Sequence, residues 1–298
     1  MSDDNLTVSI ADNIGTLTIN RPKALNALDS GTLERLSSTV TELEINDDVH
    51  VIVITGAGDR AFVAGGDIAD LNSRRGLQHY LEFAELIHAV FRQIEVCKKP
   101  TISAVNGWAL GGGAELILAT DIRIAVEDAV LGLPEITLGL FPGAGGSQRL
   151  LRQVAPCQAK ELMFTGDRIS AHEAQRIGLI NRVVSREELM PEVMKTAQKI
   201  ASHSPLVLQL LKRNLTSGQD MPLPAALAHE QHPPGNVRVR EVGRAEGGPQ
   251  LFRRAKLRGF TRQTVREPML GLSPHGCVLS ARTQPSRLRL VPGCLGRC

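Results

Sequence analysis

Three successive glycines precede a glutamate in the stretch GWALGGGAE, residues 107–115. Glycine lets backbone N–H groups approach a ligand with no side chain in the way, and the first turn of a helix concentrates N–H groups that have no intrahelical acceptor. The apolar segment LILAT that follows the glutamate is typical of a helix. Gly112 would then offer its amide to a negatively charged oxygen, and Glu115, about one helical turn further on, would present a carboxylate on the same face. This spacing favours oxyanion stabilisation beside an acid–base group.

Two more glycine-rich stretches, TGAGDRAFVAGGD at 55–67 and FPGAGGSQR at 141–149, lie on either side of the first in the sequence. None of the three contains the G-K-[ST] ending of a nucleoside triphosphate site or the G-x-G-x-x-G spacing of a dinucleotide site. The chain also has no G-x-S-x-G nucleophile elbow. Any one such stretch is typical of a structural turn, whereas their combination favours a site built from backbone N–H groups.

Strand and helix patterns alternate around these glycines. The segment at 6–20 alternates apolar and polar residues around Asn and Gly, which predicts a β-hairpin with its turn at 12–15. Apolar segments at 49–58 and 99–110 predict buried strands, and 121–135 is typical of a strand pair. Apolar residues at helical spacing predict two helices, one with Leu33, Leu36, Val40 and Leu43, the other with Leu81, Ala84, Ile87, Val90, Phe91 and Ile94. The repeating unit is strand, strand, helix, which predicts a mixed α/β core to about residue 195.

Helix-start signals mark the part of the chain that follows. Two capping boxes of the form S-x-x-E predict helix starts, at Ser170 with Glu173 and at Ser185 with Glu188. An N-cap followed by proline, Ser204-Pro205, predicts a helix to about Gly218. We therefore expect a helical region after the α/β core.

The composition is that of an ordinary globular protein, with 42% hydrophobic residues and a mean hydropathy near zero. The N-terminus has neither the basic and apolar pattern of a secretory signal nor the Arg-rich pattern of a transit peptide, and no apolar run approaches the roughly 20 residues that span a bilayer. We expect a soluble, cytoplasmic protein that does not enter membranes. The five cysteines have no C-x-x-C pair and no metal-like spacing, which argues against a disulfide framework and against a metal site.

Charge is distributed unevenly along the chain. Residues 232–298 contain twelve Arg and one Lys against three Glu, a net charge of +10, whereas the preceding 231 residues carry −7. This Arg-, Pro- and Gly-rich segment has weak periodicity and does not specify a packed core. Two interpretations stay open: a translation out of register with the natural reading frame, and a divergent disordered extension. A nucleic-acid-binding arm is disfavoured because the aromatic residues of a single-strand binder are missing.

Four motifs in order resemble those of the enoyl-CoA hydratase/isomerase, or crotonase, superfamily. They are FVAGGDIADL at 62–71, NGWALGGGAELILATDIRIA at 106–125, LGLPEITLGLFPGAGGSQRL at 131–150 and LMFTGDRISAHEAQRIGLIN at 162–181. The resemblance extends from about residue 19 to about residue 231. It implies an α/β fold, a crotonase-like spiral of ββα repeats at 1–195, with the start of a C-terminal helical region at 196–231 and the anomalous basic tail at 232–298. In the family that helical region builds a homotrimer, often doubled into a hexamer.

The resemblance also implies an active site for acyl-CoA thioesters. The amides of Gly66 and Gly112 match the family's oxyanion hole for the thioester carbonyl. Glu115 matches the residue that orients and deprotonates water, and Glu135 the residue that protonates C2. The apolar neighbours of Glu135 are consistent with a raised pKa. The implied reaction is the reversible syn hydration of a trans-2-enoyl-CoA to a 3-hydroxyacyl-CoA in fatty-acid or related acyl-CoA breakdown, with no cofactor because coenzyme A is part of the substrate.

The resemblance further implies residues that hold the substrate. They are Ala24 and Leu25 near the adenine end, Ala64, Asp67 and Ile68 along the coenzyme A moiety, Leu110, Trp108 and Phe141 as walls of the acyl pocket, and Gly143 beside the second glutamate. Two glutamates favour hydration over isomerisation, because isomerases of the family do not keep both. Two alternatives remain: a related acyl-CoA dehydratase, such as a carnitinyl-CoA dehydratase, or an isomerase; and a non-catalytic scaffold that binds acyl-CoA or RNA.

Overall fold

A computed structural model describes residues 5–73 and 77–231, beginning with an antiparallel hairpin of β1 (Leu6–Ala11) and β2 (Ile14–Ile19). The turn residues Asp12 and Asn13 both have left-handed φ, 50° and 61°, as a two-residue hairpin turn with the twist of the strands requires. The hairpin is thus confirmed, but Gly15 does not lie in its turn. Gly15 pairs with Ile10 inside β2, where an added Cβ would come within 2.8 Å of the Leu43 side chain.

Two sheets are built from the strands in the described part of the chain. The larger has six strands in the order β1, β2, β3 (Val51–Gly56), β5 (Thr101–Val105), β7 (Ile122–Val126) and β10 (Arg182–Val184). The smaller has four in the order β4 (Ala61–Val63), β6 (Trp108–Leu110), β8 (Val130–Gly132) and β9 (Arg168–Ser170). All neighbours are parallel except the β1–β2 and β8–β9 pairs.

The chain repeatedly passes from the larger sheet to the smaller one and then into a helix. The segments 99–110 and 121–135 each form two strands that lie in different sheets, so the strands of 121–135 do not pair with each other. Between β5 and β6 an added Cβ on Gly107 would overlap the backbone of Arg60. Only glycine therefore lets the chain at residue 107 pass this close to the chain at residue 60. This arrangement confirms the predicted α/β class and the repeating ββα unit.

The helices cover the sheets and carry the chain toward residue 231. They are α1 (Ser30–Ile45), α2 (Ile68–Ser73), α3 (Leu77–Val96), α4 (Gly112–Leu118), α5 (Gly146–Gln153), α6 (Pro156–Thr165), α7 (Ala171–Arg176), α8 (Arg186–Ala201), α9 (Pro205–Gly218) and α10 (Leu223–Gln231), with short 3₁₀ turns at Pro22–Ala24 and Pro134–Leu138. The predicted apolar stripe of α1 is buried, and so is that of α3 except for Ala84, which is half-buried, and Leu81, which is 47% exposed.

Helix caps agree with the sequence signals in two places of three. The hydroxyl of Ser170 accepts a hydrogen bond from the amide of Glu173 at 3.2 Å, and that of Ser204 accepts from the amide of Val207 at 3.4 Å. Ser185 occupies the N-cap of α8, but its side chain makes no capping bond. The second capping box therefore predicts the helix start correctly and the hydrogen bond wrongly.

Helix α9 is joined to the larger sheet by an ion pair whose lysine is buried and whose aspartate is partly exposed. Lys212 Nζ lies 2.6 Å from Asp121 Oδ2 and donates to the carbonyl of Lys99 at 3.0 Å. The same Asp121 oxygen accepts from the amide and the hydroxyl of Thr101. Large apolar residues stay exposed on α9 and α10, namely Leu206, Val207, Leu211, Leu215, Leu223 and Leu227.

The basic tail at 232–298 lies outside the described residues, so both interpretations of its origin stay predictions. The predicted boundary at 195 falls inside α8.

None of the described helices combines the length and the apolar character that crossing a bilayer demands. The thiols of Cys97 and Cys157 are free, and over 5–73 and 77–231 no three His, Cys, Asp or Glu side chains are grouped so that they could hold a metal ion.

Candidate active site

A cleft of about 180 Å³ brings together the residues to which the sequence points. Its walls come from four parts of the chain: the segment 64–68 after β4, the middle of α3, the start of α4, and the segment 134–144 between β8 and α5. The three glycine-rich stretches, at 55–67, 107–115 and 141–149, meet here because β4 and β6, which lie within the first two, and β8, which precedes the third, are neighbours in the smaller sheet.

The amide of Gly66 is turned toward the cleft by its pairing with Leu28. In this parallel bridge the Leu28 amide donates to the carbonyl of Gly65 at 2.9 Å, and the Asp67 amide donates to the carbonyl of Leu28 at 2.8 Å. Leu28 thus engages the residues on both sides of Gly66, which leaves the N–H of Gly66 on the opposite side of the strand. Gly65 has a φ of 131°, a conformation available only to glycine at little cost.

The amide of Gly112 is the second candidate donor. Gly112 is the first residue of α4, so its N–H has no acceptor within the helix. A Cβ added to Gly112 would lie 3.5 Å from the amide nitrogen of Gly66, which means that the two glycines face each other across a narrow gap. A Cβ on Gly113 would instead overlap the carbonyl of Val63, so this third glycine serves the close packing of α4 on β4. The GGG motif therefore combines a ligand-facing glycine with a packing glycine.

Glu115 is buried yet holds its carboxylate in good hydrogen bonds. Its side chain is on α4, the residue is 3% exposed, and Oε1 accepts from the amides of Ala144 and Gly146, both at 2.8 Å. Burial raises the pKa of Glu115, and the two amides and the charge of Arg149 oppose that rise. The carboxylate form thus has specific partners although it is removed from water.

Glu135 lies in the 3₁₀ turn before α5 and has the opposite environment. Both of its carboxyl oxygens are buried, and neither has a partner among the described residues. Burial raises the pKa of Glu135 to about 7, and the nearby charge of Glu115 adds to the effect. Of its apolar neighbours in sequence, Leu131 and Leu133 are buried and Ile136 is exposed. The site therefore pairs a carboxyl group whose ionised form accepts two amide hydrogen bonds with one that has no such bond from another described residue and tends to keep its proton, and acid–base chemistry needs such an unequal pair.

Several other predicted site residues also line the cleft. Ala64, Ile68 and Gly143 do so, and Phe141, which is 66% exposed, stands at its mouth. Leu110 and Trp108, predicted as walls of the acyl pocket, do not line it. Leu110 is the last residue of β6 and is only 5% exposed.

The walls that the sequence did not identify come from two places. Phe83, Ala84 and Ile87 of α3 line one side, and Leu138 and Leu140 line the other. Ala84 and Ile87 belong to an apolar stripe at helical spacing, and such a stripe gives no sign of which of its members face a ligand instead of the core.

Ala24, Leu25 and Asp67 lie beside the cleft in a segment that supports Gly66. The amide of Ala64 donates to the carbonyl of Leu25 at 3.1 Å, and the guanidinium of Arg21 binds Asp67 at 2.8 Å. Burial opposes the charge of Asp67, but Arg21 and the backbone amides at the start of α2 hold its pKa below the usual value. The Asp67 carboxylate is thus already occupied, and the roles of these three residues toward a substrate stay predictions.

Comparison with known proteins adds a family to this geometry. A sequence profile of the family described as enoyl-CoA hydratase/isomerase matches residues 9–240. The chain is 45% identical over 230 residues to a crotonyl-CoA hydratase of Syntrophomonas wolfei, and 43% identical over 230 residues to a short-chain-enoyl-CoA hydratase of Clostridium acetobutylicum; each match covers 77% of this chain and 88% of the relative. Its fold matches the crystal structure of an enoyl-CoA hydratase from Bacillus anthracis with a TM-score of 0.80 and 37% identity, over 85% of this chain and 97% of that one.

Proposed function

The chain belongs to the enoyl-CoA hydratase/isomerase family, and from this premise we propose that it catalyses the reversible syn addition of water to a trans-2-enoyl-CoA. The observation that carries the proposal is the unequal environment of two glutamates in one cleft. Glu115 is held by two amides, whereas the buried carboxyl oxygens of Glu135 have no partner in the part of the chain that the structure describes. Hydration needs one base and one acid at the same moment, and these environments favour different protonation states.

In the proposed mechanism Glu115 takes a proton from water as the water oxygen bonds to C3. Electrons of the double bond move toward the thioester carbonyl, and the oxygen that becomes negative is held by the amides of Gly66 and Gly112. Such a donor is typically worth about 3–4 kcal/mol of the barrier. Glu135 then gives its proton to C2, so the net change is the addition of one water and no oxidation or reduction. In the dehydration direction the two glutamates exchange roles.

A short acyl chain is the substrate class that we propose. The walls next to the glutamates are apolar, and about 180 Å³ leaves room for a few carbons. The relatives named for crotonyl-CoA and for short-chain enoyl-CoA support the same choice. We further propose that the reaction serves fatty-acid or related acyl-CoA breakdown and uses no metal or redox cofactor. The homotrimer or hexamer remains a prediction from the resemblance, and the cytoplasmic location remains a prediction from the sequence pattern.

The test is a crotonyl-CoA hydration assay on the full chain with substitutions that replace only the carboxyl group of each glutamate by an amide. Glu115→Gln and Glu135→Gln keep the shape of each side chain and remove its proton-transfer group, and each is expected to lower kcat by about 10²–10⁴-fold. Glu161 is an exposed glutamate of α6, and the variant Glu161→Gln serves as the matched control that should keep full activity. Wild-type turnover in both site variants would refute the acid–base assignment. Incorporation of ¹⁸O from labelled water into the product separates hydration from isomerisation, which moves the double bond without adding oxygen.

A further inference from the structure

Arg149 of α5 is packed behind the turn that holds Glu115. Its guanidinium makes a two-point ion pair with Glu95 of α3, Nε to Oε1 at 3.2 Å and Nη2 to Oε2 at 3.1 Å. The Arg149 side chain is only 12% exposed, and the Glu95 side chain 25%. A two-point pair at this degree of burial fixes the plane of the guanidinium, which a lysine could not do.

The remaining arm of the same guanidinium reaches the catalytic turn. Arg149 Nη1 donates to the carbonyl of Ala144 at 3.0 Å, and the amide of Ala144 donates to Glu115 Oε1 at 2.8 Å. Between Ala144 and α5 lies Gly145, whose φ is 99°, and a Cβ on it would overlap Nη1 of Arg149. The turn thus needs a glycine both for its backbone conformation and to let Arg149 lie against it.

Resting on the proposed function, we propose that Arg149 is a positioning residue for the hydration reaction. It clamps the Ala144–Gly146 turn so that two amides meet Glu115, and its charge favours the ionised base. Glu95 orients Arg149 and partly balances that charge. Arg149 does not line the cleft, so it acts through the turn and not on the substrate.

The charged groups around Glu115 give this proposal a distinctive sign pattern. Arg149 of α5 favours ionisation of Glu115, and Glu135 of the 3₁₀ turn disfavours simultaneous ionisation of the pair. Behind Arg149 stand Glu95 and its second partner Arg92, both on α3. Removing the Arg149 charge should therefore raise the pKa of Glu115, and removing the Glu95 charge should lower it. A simple loss of packing would not shift this pKa in opposite directions in the two variants.

The test combines kinetics with a titration that does not depend on activity. In the full chain, Arg149→Met is expected to move the acidic limb of the kcat/KM profile for crotonyl-CoA upward by about one pH unit. KM should change little, because Arg149 lies outside the cleft. Glu95→Gln is expected to move the limb downward. Arg152→Met removes an exposed arginine from the same helix and should leave the profile unchanged.

Carboxyl ¹³C NMR on protein labelled at glutamate, with Glu115→Gln to assign the signal, should show the same two shifts in opposite directions. Arg149→Lys keeps the charge without the two-point pair, and it is expected to lower kcat about tenfold with a smaller titration shift than Arg149→Met. If Arg149→Met does not fold, Arg149→Lys and Glu95→Gln test the positioning role of Arg149. The proposal is overturned if the Glu115 titration stays at its wild-type position in these variants, or if both charge removals shift it the same way. If no enoyl-CoA is hydrated at all, the proposed function fails, while the titration still judges the role of Arg149.

Discussion

The amide nitrogen of Gly146 lies 2.8 Å from Oε1 of Glu115, so a side chain from α4 caps the N-terminus of α5. The N-cap of α5 is Gly145, which has no side chain to accept a hydrogen bond, and Glu115 takes over that task. A carboxylate at a helix N-terminus is favoured by the helix dipole. Among the described residues no other residue's amide and no cation faces the Glu135 carboxyl, and only its own backbone amide acts to lower its pKa. This difference is the physical reason that the two neighbouring glutamates suit different roles.

Glu135→Gln is expected to stabilise the protein at alkaline pH. The pKa of Glu135 is raised from 4.5 to about 7, so the folded state holds its proton more tightly than the unfolded chain does. The free energy of unfolding contributed by this group is therefore highest below about pH 4.5, falls as the pH rises through the interval, and is fully lost above about pH 7. Glutamine does not titrate, and we expect about 1–2 kcal/mol of relative stabilisation, allowing for partial exposure.

Urea denaturation at about pH 5 and about pH 8 measures this effect, because the difference between the two pH values cancels any pH-independent cost of the substitution. The exposed Glu161→Gln serves again as control. Equal stability changes at both pH values would contradict a raised pKa for Glu135.

The rates of hydration and dehydration are expected to decline together above about pH 7. Hydration needs Glu115 ionised and Glu135 protonated, and dehydration needs the reverse, so each direction requires one proton on the pair. That proton is lost with an apparent pKa of the pair near the value of Glu135, about 7. The kcat/KM profile for crotonyl-CoA should show this limb, and a profile that stays flat from about pH 6 to about pH 8 would argue against a raised pKa of Glu135.

Gly112→Ala and Gly113→Ala are expected to fail in different ways. The methyl group of Gly112→Ala would sit at an ordinary distance of 3.5 Å from the Gly66 nitrogen, in the gap where an oxyanion would bind. We expect a folded protein whose kcat/KM is about 10²-fold lower, similar to the loss of one oxyanion donor. Gly113→Ala would collide with the carbonyl of Val63 and should lower Tm and yield. Thermal melts and kinetics on both variants check the pair, and a fully active Gly112→Ala would exclude this gap as the oxyanion site.

Lys212→Met is expected to destabilise the fold without changing the chemistry of the cleft. It leaves Asp121, whose side chain is 32% exposed, without its cation, which costs about 1–2 kcal/mol, between the values for exposed and for buried pairs, because Thr101 still donates to the carboxylate. Adding Asp121→Asn should recover part of the loss. A double-mutant cycle by urea denaturation measures the coupling. Additive effects of the two substitutions would mean that the pair does not hold α9.

The sequence predicted those parts of the site that depend on backbone chemistry. The spacing of Gly112 and Glu115 implies an amide and a carboxylate on one helical face, whereas Gly66 and Glu135 were identified only through the resemblance to the family. Gly66, Gly112, Glu115 and Glu135 all line one cleft, as predicted. The hairpin, the alternation of strand and helix, and the start of α9 also followed from local patterns, because each is set by nearby residues.

What could not be predicted depends on contacts between distant residues. Nothing local distinguishes Leu110, which does not line the cleft, from Ile87, which does, since both are buried apolar residues in regular elements. The ion pair of Arg149 with Glu95 joins residues 54 positions apart, and their pairing is decided by how α3 lies against α5. The split of 99–110 into strands of two sheets likewise depends on the backbone of Arg60 passing Gly107.

Helix α4 has seven residues, and all of them are buried. The buried side chain of Arg123 donates to the carbonyls of Leu118 and Thr120 at the C-terminal end of this helix and to the carbonyl of Leu179. A helix this short has almost no stability of its own in water. The amide of Gly112 and the base Glu115 therefore persist only as long as the surrounding sheets do, and a local opening that frees them would expose much of the core. Motion that admits and releases an acyl chain must then come from the other walls, α3 and the 134–144 segment. The proposed base and one proposed oxyanion donor thus lie on the most cooperative part of the fold, whereas Glu135, the proposed acid, lies on a wall that can move.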